Sequence, residues 1–79
     1  MKHWYMIERC AENSVPLFET LLSADNKADA LAEAQAAFNR LPMRYQKHCT
    51  KVYIGCAEPS ERGADSPDYD TLDDIEHIK

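Results

Sequence analysis

The sequence predicts an α+β fold: ββαβ, with one amphipathic helix on a three- or four-stranded, mostly antiparallel sheet and a short acidic C-terminal element. Three observations carry this reading. Residues 26–40 have the apolar spacing of a helix and are closed off by a proline. Residues 2–10, 17–23 and 50–57 are rich in aromatic and aliphatic side chains without that spacing. The first two of these runs lie close together in sequence, which suits antiparallel pairing.

The first run holds His3, Trp4, Tyr5, Met6 and Ile7 and reads as a strand over 2–10. Ala11-Glu12-Asn13-Ser14 is turn-like, and Pro16 marks the start of the next run. Residues 17–23 alternate well enough for a second strand, giving a hairpin. Ser23, Ala24, Asp25 and Asn26 then offer several N-cap positions for the helix. Within it, Leu31, Ala34, Phe38 and Leu41 form one apolar stripe among six alanines. Pro42 lacks the amide hydrogen that would continue the ladder and disfavours helix at the residue before it. Residues 42–49 form a basic connector with room for a helical turn. In the strand 50–57, Val52, Ile54 and Cys56 share one face, and Lys51, Tyr53 and Gly55 the other.

Residues 58–68 mix Pro59, Ser60, Gly63, Ser66 and Pro67 with charges and read as a surface loop within a single domain spanning 1–79. Residues 69–79 are an acidic element with two readings. Thr71 and Asp74 have capping-box spacing for a helix, whereas Ile75-Glu76-His77-Ile78 suits a short edge strand.

Counting faces raises a question of cover. One helix shields one side of the sheet, yet the first strand carries Trp4 and Met6 on one face and Tyr5 and Ile7 on the other. The second strand does the same with Phe18 and Leu22 against Leu17 and Leu21. A half-solvated sheet alternates more cleanly. Three covers for the second face are open: the C-terminal segment with Tyr69, Leu72 and Ile75, a second copy of the chain, or a partner protein.

Composition narrows the function. A domain of 79 residues buries only about 60% of its unfolded surface, leaving little room for both a core and a deep substrate cleft. No secretory leader and no membrane-spanning run are visible. Three cysteines, Cys10, Cys49 and Cys56, are an odd set, and the simpler expectation is reduced thiols in a cytoplasm. Residues 1–56 hold seven Lys/Arg against six Asp/Glu, whereas residues 57–79 hold two against eight. The acidity belongs to the C-terminal third.

Chemistry-bearing motifs are sparse. His3, Cys10, His48, Cys49, Cys56 and His77 show no metal-ligand spacing. Cys49 and Cys56 fall on opposite faces of a continuous strand, Cys56 as a small core residue and Cys49 as a half-exposed thiol. His48 and Cys49 are chain neighbours that point apart in an extended backbone, a poor base–nucleophile pair. Two glycines, Gly55 and Gly63, exclude a glycine-rich phosphate loop. Asp68, Asp70 and Asp73 lack the spacing and glycine of a calcium loop. The expectation is a protein that is not an enzyme and carries no cofactor.

Three surfaces are candidates for binding. The carboxylates Glu58, Glu61, Asp65, Asp68, Asp70, Asp73, Asp74 and Glu76 read either as a solvated, partly disordered terminus or as a surface offered to a basic groove. Tyr5, Ile7 and Tyr53 would supply apolar anchors on the open sheet face. Arg40, Arg44, Lys47 and Lys51, with Tyr45, Tyr53 and His48 interleaved, would suit a phosphate backbone, or would pair with the chain's own acidic tail. A sequence pI of about 5.0 disfavours nucleic acid.

Ala28 to Phe38 followed by Lys51 to Pro59 carries a layout that resembles small accessory proteins of phages, plasmids and conjugative elements, the DpnD/PcfM-like proteins and several anti-CRISPR proteins among them. The likeness is one of architecture, over most of the chain. It implies a non-enzymatic protein that binds and blocks, or scaffolds, another protein, here an inhibitor of a nucleic-acid-processing defence complex. Two alternatives stand beside it: a homodimeric interaction module of a mobile element, and a small nucleic-acid binder using the basic connector.

Overall fold

In a computed structural model that describes residues 1–10 and 16–79, the chain runs β1 (His3–Arg9), β2 (Pro16–Leu21), α1 (Lys27–Asn39), α2 (Met43–His48), β3 (Lys51–Ala57), β4 (Pro59–Ser60), β5 (Gly63–Pro67), a 3₁₀ turn (Tyr69–Thr71) and β6 (Asp73–His77). The turn expected over residues 11–14 lies outside the described residues. Four strands form one antiparallel sheet in the order β2-β1-β3-β6, and β4 and β5 form a separate hairpin. The α+β class is as the sequence predicts, with the sheet at four strands.

Register sorts the side chains by face. Met6 lies opposite Thr20 and Ile54, and Glu8 opposite Phe18 and Val52, which places these residues on the helix side. Tyr5 lies opposite Leu21 and Gly55, and Ile7 opposite Glu19 and Tyr53, on the other side. The helix-side core joins Trp4, Met6, Leu22, Val52 and Ile54 of the sheet to Ala30, Ala34 and Phe38 of α1 and to Cys49. Alanines at the contact let α1 sit close to the sheet.

Helix α1 begins where Asn26 caps it. The Asn26 Oδ1 accepts the Asp29 amide at 2.9 Å, and its Nδ2 donates to Asp29 Oδ2 at 3.0 Å. Ser23 is not the cap; its amide and that of Ala24 donate to the Glu33 carboxylate. After Pro42 the basic connector forms a full short helix, α2, which turns Tyr45 inward onto the core.

One expectation is revised, and one open alternative is decided. Where a surface loop was expected over 58–68, β4 and β5 pair as a hairpin turned at Glu61-Arg62, with Gly63 at φ 139°, a backbone conformation that favours glycine. This hairpin is the third layer: Pro67 is fully buried, the Tyr5 hydroxyl donates to Ala64 O at 2.8 Å, and the Ser66 hydroxyl donates to Glu19. The C-terminal element is ordered against the sheet, with β6 paired to β3, so the edge-strand reading holds and the capping-box helix does not form. Thr71 is instead a staple, its hydroxyl accepting the Glu58 amide and donating to Asp68 O, each at 2.8 Å.

The second sheet face is therefore covered by the chain itself. Tyr69 donates to Glu19 Oε2, and Leu72 packs on Gly55, where a Cβ would come within 2.5 Å of the leucine Cδ1. Arg9 donates to the Tyr53 hydroxyl at 2.7 Å and lies over the Tyr53 and Tyr69 rings. Ile75, expected to share in this cover, is instead exposed on β6.

Candidate functional site

The three surfaces read from the sequence fare differently. Tyr5, Ile7 and Tyr53 are buried under the hairpin and the 3₁₀ turn. They are core residues of the second face, and the open sheet face that a homodimer would use is closed.

The acidic residues are spread over two places. Glu61, Asp65 and Asp70 are exposed on and beside the hairpin. Asp73, Asp74 and Glu76 line the outer strand β6, where Lys2 approaches Asp73 at 3.9 Å and Lys27 approaches Asp74 and Glu76 at 3.7 and 3.2 Å. Glu58 binds the terminal ammonium of Met1 at 2.7 Å, which lowers its pKa. Asp68 caps the 3₁₀ turn through the Asp70 amide. Asp74 takes a left-handed backbone, φ 56°, at an irregularity in the β3–β6 pairing, and bulges of this kind blunt an edge against strand addition.

The basic residues Arg40, Arg44, Lys47 and Lys51 are all exposed. Among the described residues none of them pairs with the C-terminal carboxylates; Lys2, Lys27 and the Met1 ammonium do. Arg44, Lys47 and His48 line a shallow depression with Pro42 and Tyr45.

A fourth place, absent from the sequence reading, has the character of a ligand site. Helix α1 packs over β1 and β3 and leaves the helix side of the outer strand β2 uncovered, so Phe18 is 60% exposed. The result is a groove of ≈ 480 Å³ between β1–β2 and the α1–α2 corner, lined by Met6, Glu8, Phe18, Thr20, Ala37, Leu41, Pro42 and Tyr45. The Phe18 and Tyr45 rings stand 6.1 Å apart at a tilt of 55°.

Glu8 is the unusual member. Its side chain follows Trp4 and Met6 on the helix face of β1, and the residue is only 4% exposed. Among the described residues it has no hydrogen-bond or ion-pair partner, and burial pushes its carboxyl pKa up. The Tyr45 hydroxyl is buried beside the Cys49 thiol, close enough to interact with it, but makes no hydrogen bond of good geometry among the described residues. Its pKa is driven upward, first by burial and then by the charge of Glu8. Mostly apolar walls with a few convergent polar groups and a perturbed carboxyl are the usual make-up of a binding pocket.

Cys49 is fully buried rather than half-exposed, and burial first, then Glu8, raises its thiol pKa, so it stays a protonated thiol at neutral pH. Cys49 also sits in the same helix-side core that Cys56 packs against, because β3 starts only at Lys51 and the two are not in one continuous strand. Among the described residues no three His, Cys, Asp or Glu side chains are placed to hold a metal ion, and no helix is long and apolar enough to cross a membrane.

The groove was hidden because its parts are far apart in sequence. A glutamate at the third helix-side position of a strand reads as the strand's polar end, and Tyr45 reads as part of the basic connector. No family model, curated protein or solved structure matches the chain.

Proposed function

We propose that the chain is a non-enzymatic protein-binding factor that seats a side chain of its partner in the groove between β1–β2 and the α1–α2 corner. One observation carries this: an apolar groove with an exposed aromatic rim, Phe18, is lined by Glu8, a residue 4% exposed whose carboxyl has no partner among the described residues. A carboxyl buried for stability alone would be hydrogen-bonded or paired. An aromatic anchor beside a desolvated charge is the composition of an interface hot spot.

A second reading rests on the acidic surface. Glu61, Asp65 and Asp70 are exposed and form no ion pair among the described residues. They suit contact with a basic protein surface, as an inhibitor of a nucleic-acid-processing complex would make, and such charges act mainly on the rate of encounter.

Affinity capture from nuclease-treated bacterial lysate with two variants separates the readings. Phe18→Thr removes the exposed ring and keeps strand propensity. Reversal of Glu61, Asp65 and Asp70 to lysine removes the unpaired acidic field. The groove reading expects one stoichiometric protein on the unaltered chain, lost with Phe18→Thr and retained at reduced rate with the triple reversal. Loss with the triple reversal alone moves the site to the acidic surface.

A further inference from the structure

Resting on the groove as the binding site, we infer that its occupant is a lysine side chain of the partner, its aliphatic stem along the apolar wall and its ammonium at Glu8. Four observations on the groove converge on that chemistry. The wall of Met6, Ala37, Leu41 and Pro42 offers no hydrogen bond from a side chain and suits a run of methylenes. Two tilted rings, Phe18 and Tyr45, flank it, and a cation is attracted to ring faces. One carboxylate lines it, that of Glu8, a residue 4% exposed with no hydrogen bond or ion pair among the described residues. Among the described residues no Lys or Arg lines the groove, so none of them already answers the charge.

Among the described residues, the groups that face Glu8 do not compensate it. Tyr45 and Cys49 are neutral at physiological pH, both with raised pKa values, and both feel Glu8 as an added negative charge. The Lys79 ammonium, near enough to act on Cys49, donates to Gln46 O at 2.6 Å. Arg44, Lys47 and His48 belong to the other depression, beyond Tyr45. An arriving ammonium therefore meets a carboxylate that no side chain among the described residues answers, in a mostly apolar groove, where a charge-assisted hydrogen bond is stronger than in open water. Lysine suits the site better than arginine. Three donors on a compact head are easier to satisfy at one carboxylate and the groove mouth than the five donors of a planar guanidinium.

Nuclear magnetic resonance on the intact chain tests this with three probes: Nα-acetyl-lysinamide, its neutral isostere Nα-acetyl-norleucinamide, and n-pentylamine, an ammonium without a peptide. The readouts are the amide shifts of Met6, Phe18, Thr20 and Leu41 and the carboxyl carbon shift of Glu8. A single lysine should bind with a dissociation constant on the order of millimolar. It should bind roughly tenfold more tightly than norleucinamide, the worth of one charge-assisted hydrogen bond, and it should pull the Glu8 titration to lower pH.

In Glu8→Gln, which keeps the side-chain shape and is easier to bury, the preference should fall to near one. Dispersed amide shifts check that this variant is folded, and Phe18→Thr, altered at an exposed position, provides a second variant that should weaken lysinamide binding. Equal binding of lysinamide and norleucinamide, or an unchanged preference in Glu8→Gln, overturns the ammonium assignment and leaves the groove reading standing. Binding of pentylamine but not of lysinamide makes the ligand a free amine and overturns the lysine. Silence of the groove amides toward all three probes overturns both.

Discussion

At the scale of single residues, Glu8 sets the most direct test. Its carboxyl pKa is raised by burial, so the folded chain keeps the proton at pH values where the unfolded chain has released it. The unfolded state then binds fewer protons, and stability falls as pH climbs from the ordinary carboxylate range through the raised value. Glu8→Gln has nothing to ionise there. Thermal unfolding of both chains between about pH 4 and about pH 8 should show the variant gaining on the parent as pH rises; parallel curves would mean that Glu8 is solvated or paired. This residue was not legible in the sequence. Alternation along β1 gives its face, but its burial comes from Val52, Phe18 and the inward turn of α2, which lie from 10 to about 44 positions away in the chain. For Tyr5, Ile7 and Tyr53 the same holds: their apolar face was legible and the hairpin that buries it was not.

At the scale of elements, what could be read followed from local periodicity. Helix α1 was legible because its stripe and its end at Pro42 are encoded within a few residues of one another. Its cap resolved to Asn26, and Asn26→Ala should lower stability by about 1 kcal/mol in denaturant unfolding; no change would shift the cap to Asp25. The hairpin β4–β5 was not legible, since Pro59, Ser60, Gly63 and Pro67 have the composition of a loop and its pairing depends on what lies beneath it. The tail was ambiguous because five residues of β6 carry too short a pattern to separate strand from helix. Gly55 is where β3 and the tail lock together. A methyl there meets Leu72 at 2.5 Å and comes within 3.5 Å of Asp73 O. Gly55→Ala should therefore cost about 1–3 kcal/mol by overpacking. Leu72→Ala clears the side-chain clash, so the double variant should lose less than the two single losses added together. Simple additivity would separate Gly55 from Leu72.

At the scale of the whole molecule, the chain behaves as three layers: helices, sheet and hairpin. Its radius of gyration is 11.8 Å, close to the roughly 11.6 Å of a compact chain of this length. The acidic third is thus packed, not trailing. That packing matters because small domains have little stability to spare, about 5–15 kcal/mol for native proteins in general. Tyr5, Ile7 and Tyr53 are buried on the hairpin side, and side chains of this kind contribute roughly 1.5–3 kcal/mol each when removed from water. Their combined burial is of the same order as the whole stability. The hairpin can be excised cleanly, since the Asp68 amide already donates to Glu58 O at 2.8 Å and a short Gly-Asn-Gly link spans the gap left by residues 59–67. Such a chain keeps β6 and α1 but uncovers the aromatic face. It should lose its cooperative thermal transition or associate through that face, seen as a rise in mass by sedimentation, because exposed apolar surface of this extent seeks a partner. Retention of a monomeric mass and of the parent's melting temperature would show that Tyr69 and Leu72 alone seal the sheet, and would reduce the hairpin to an ornament on a two-layer fold.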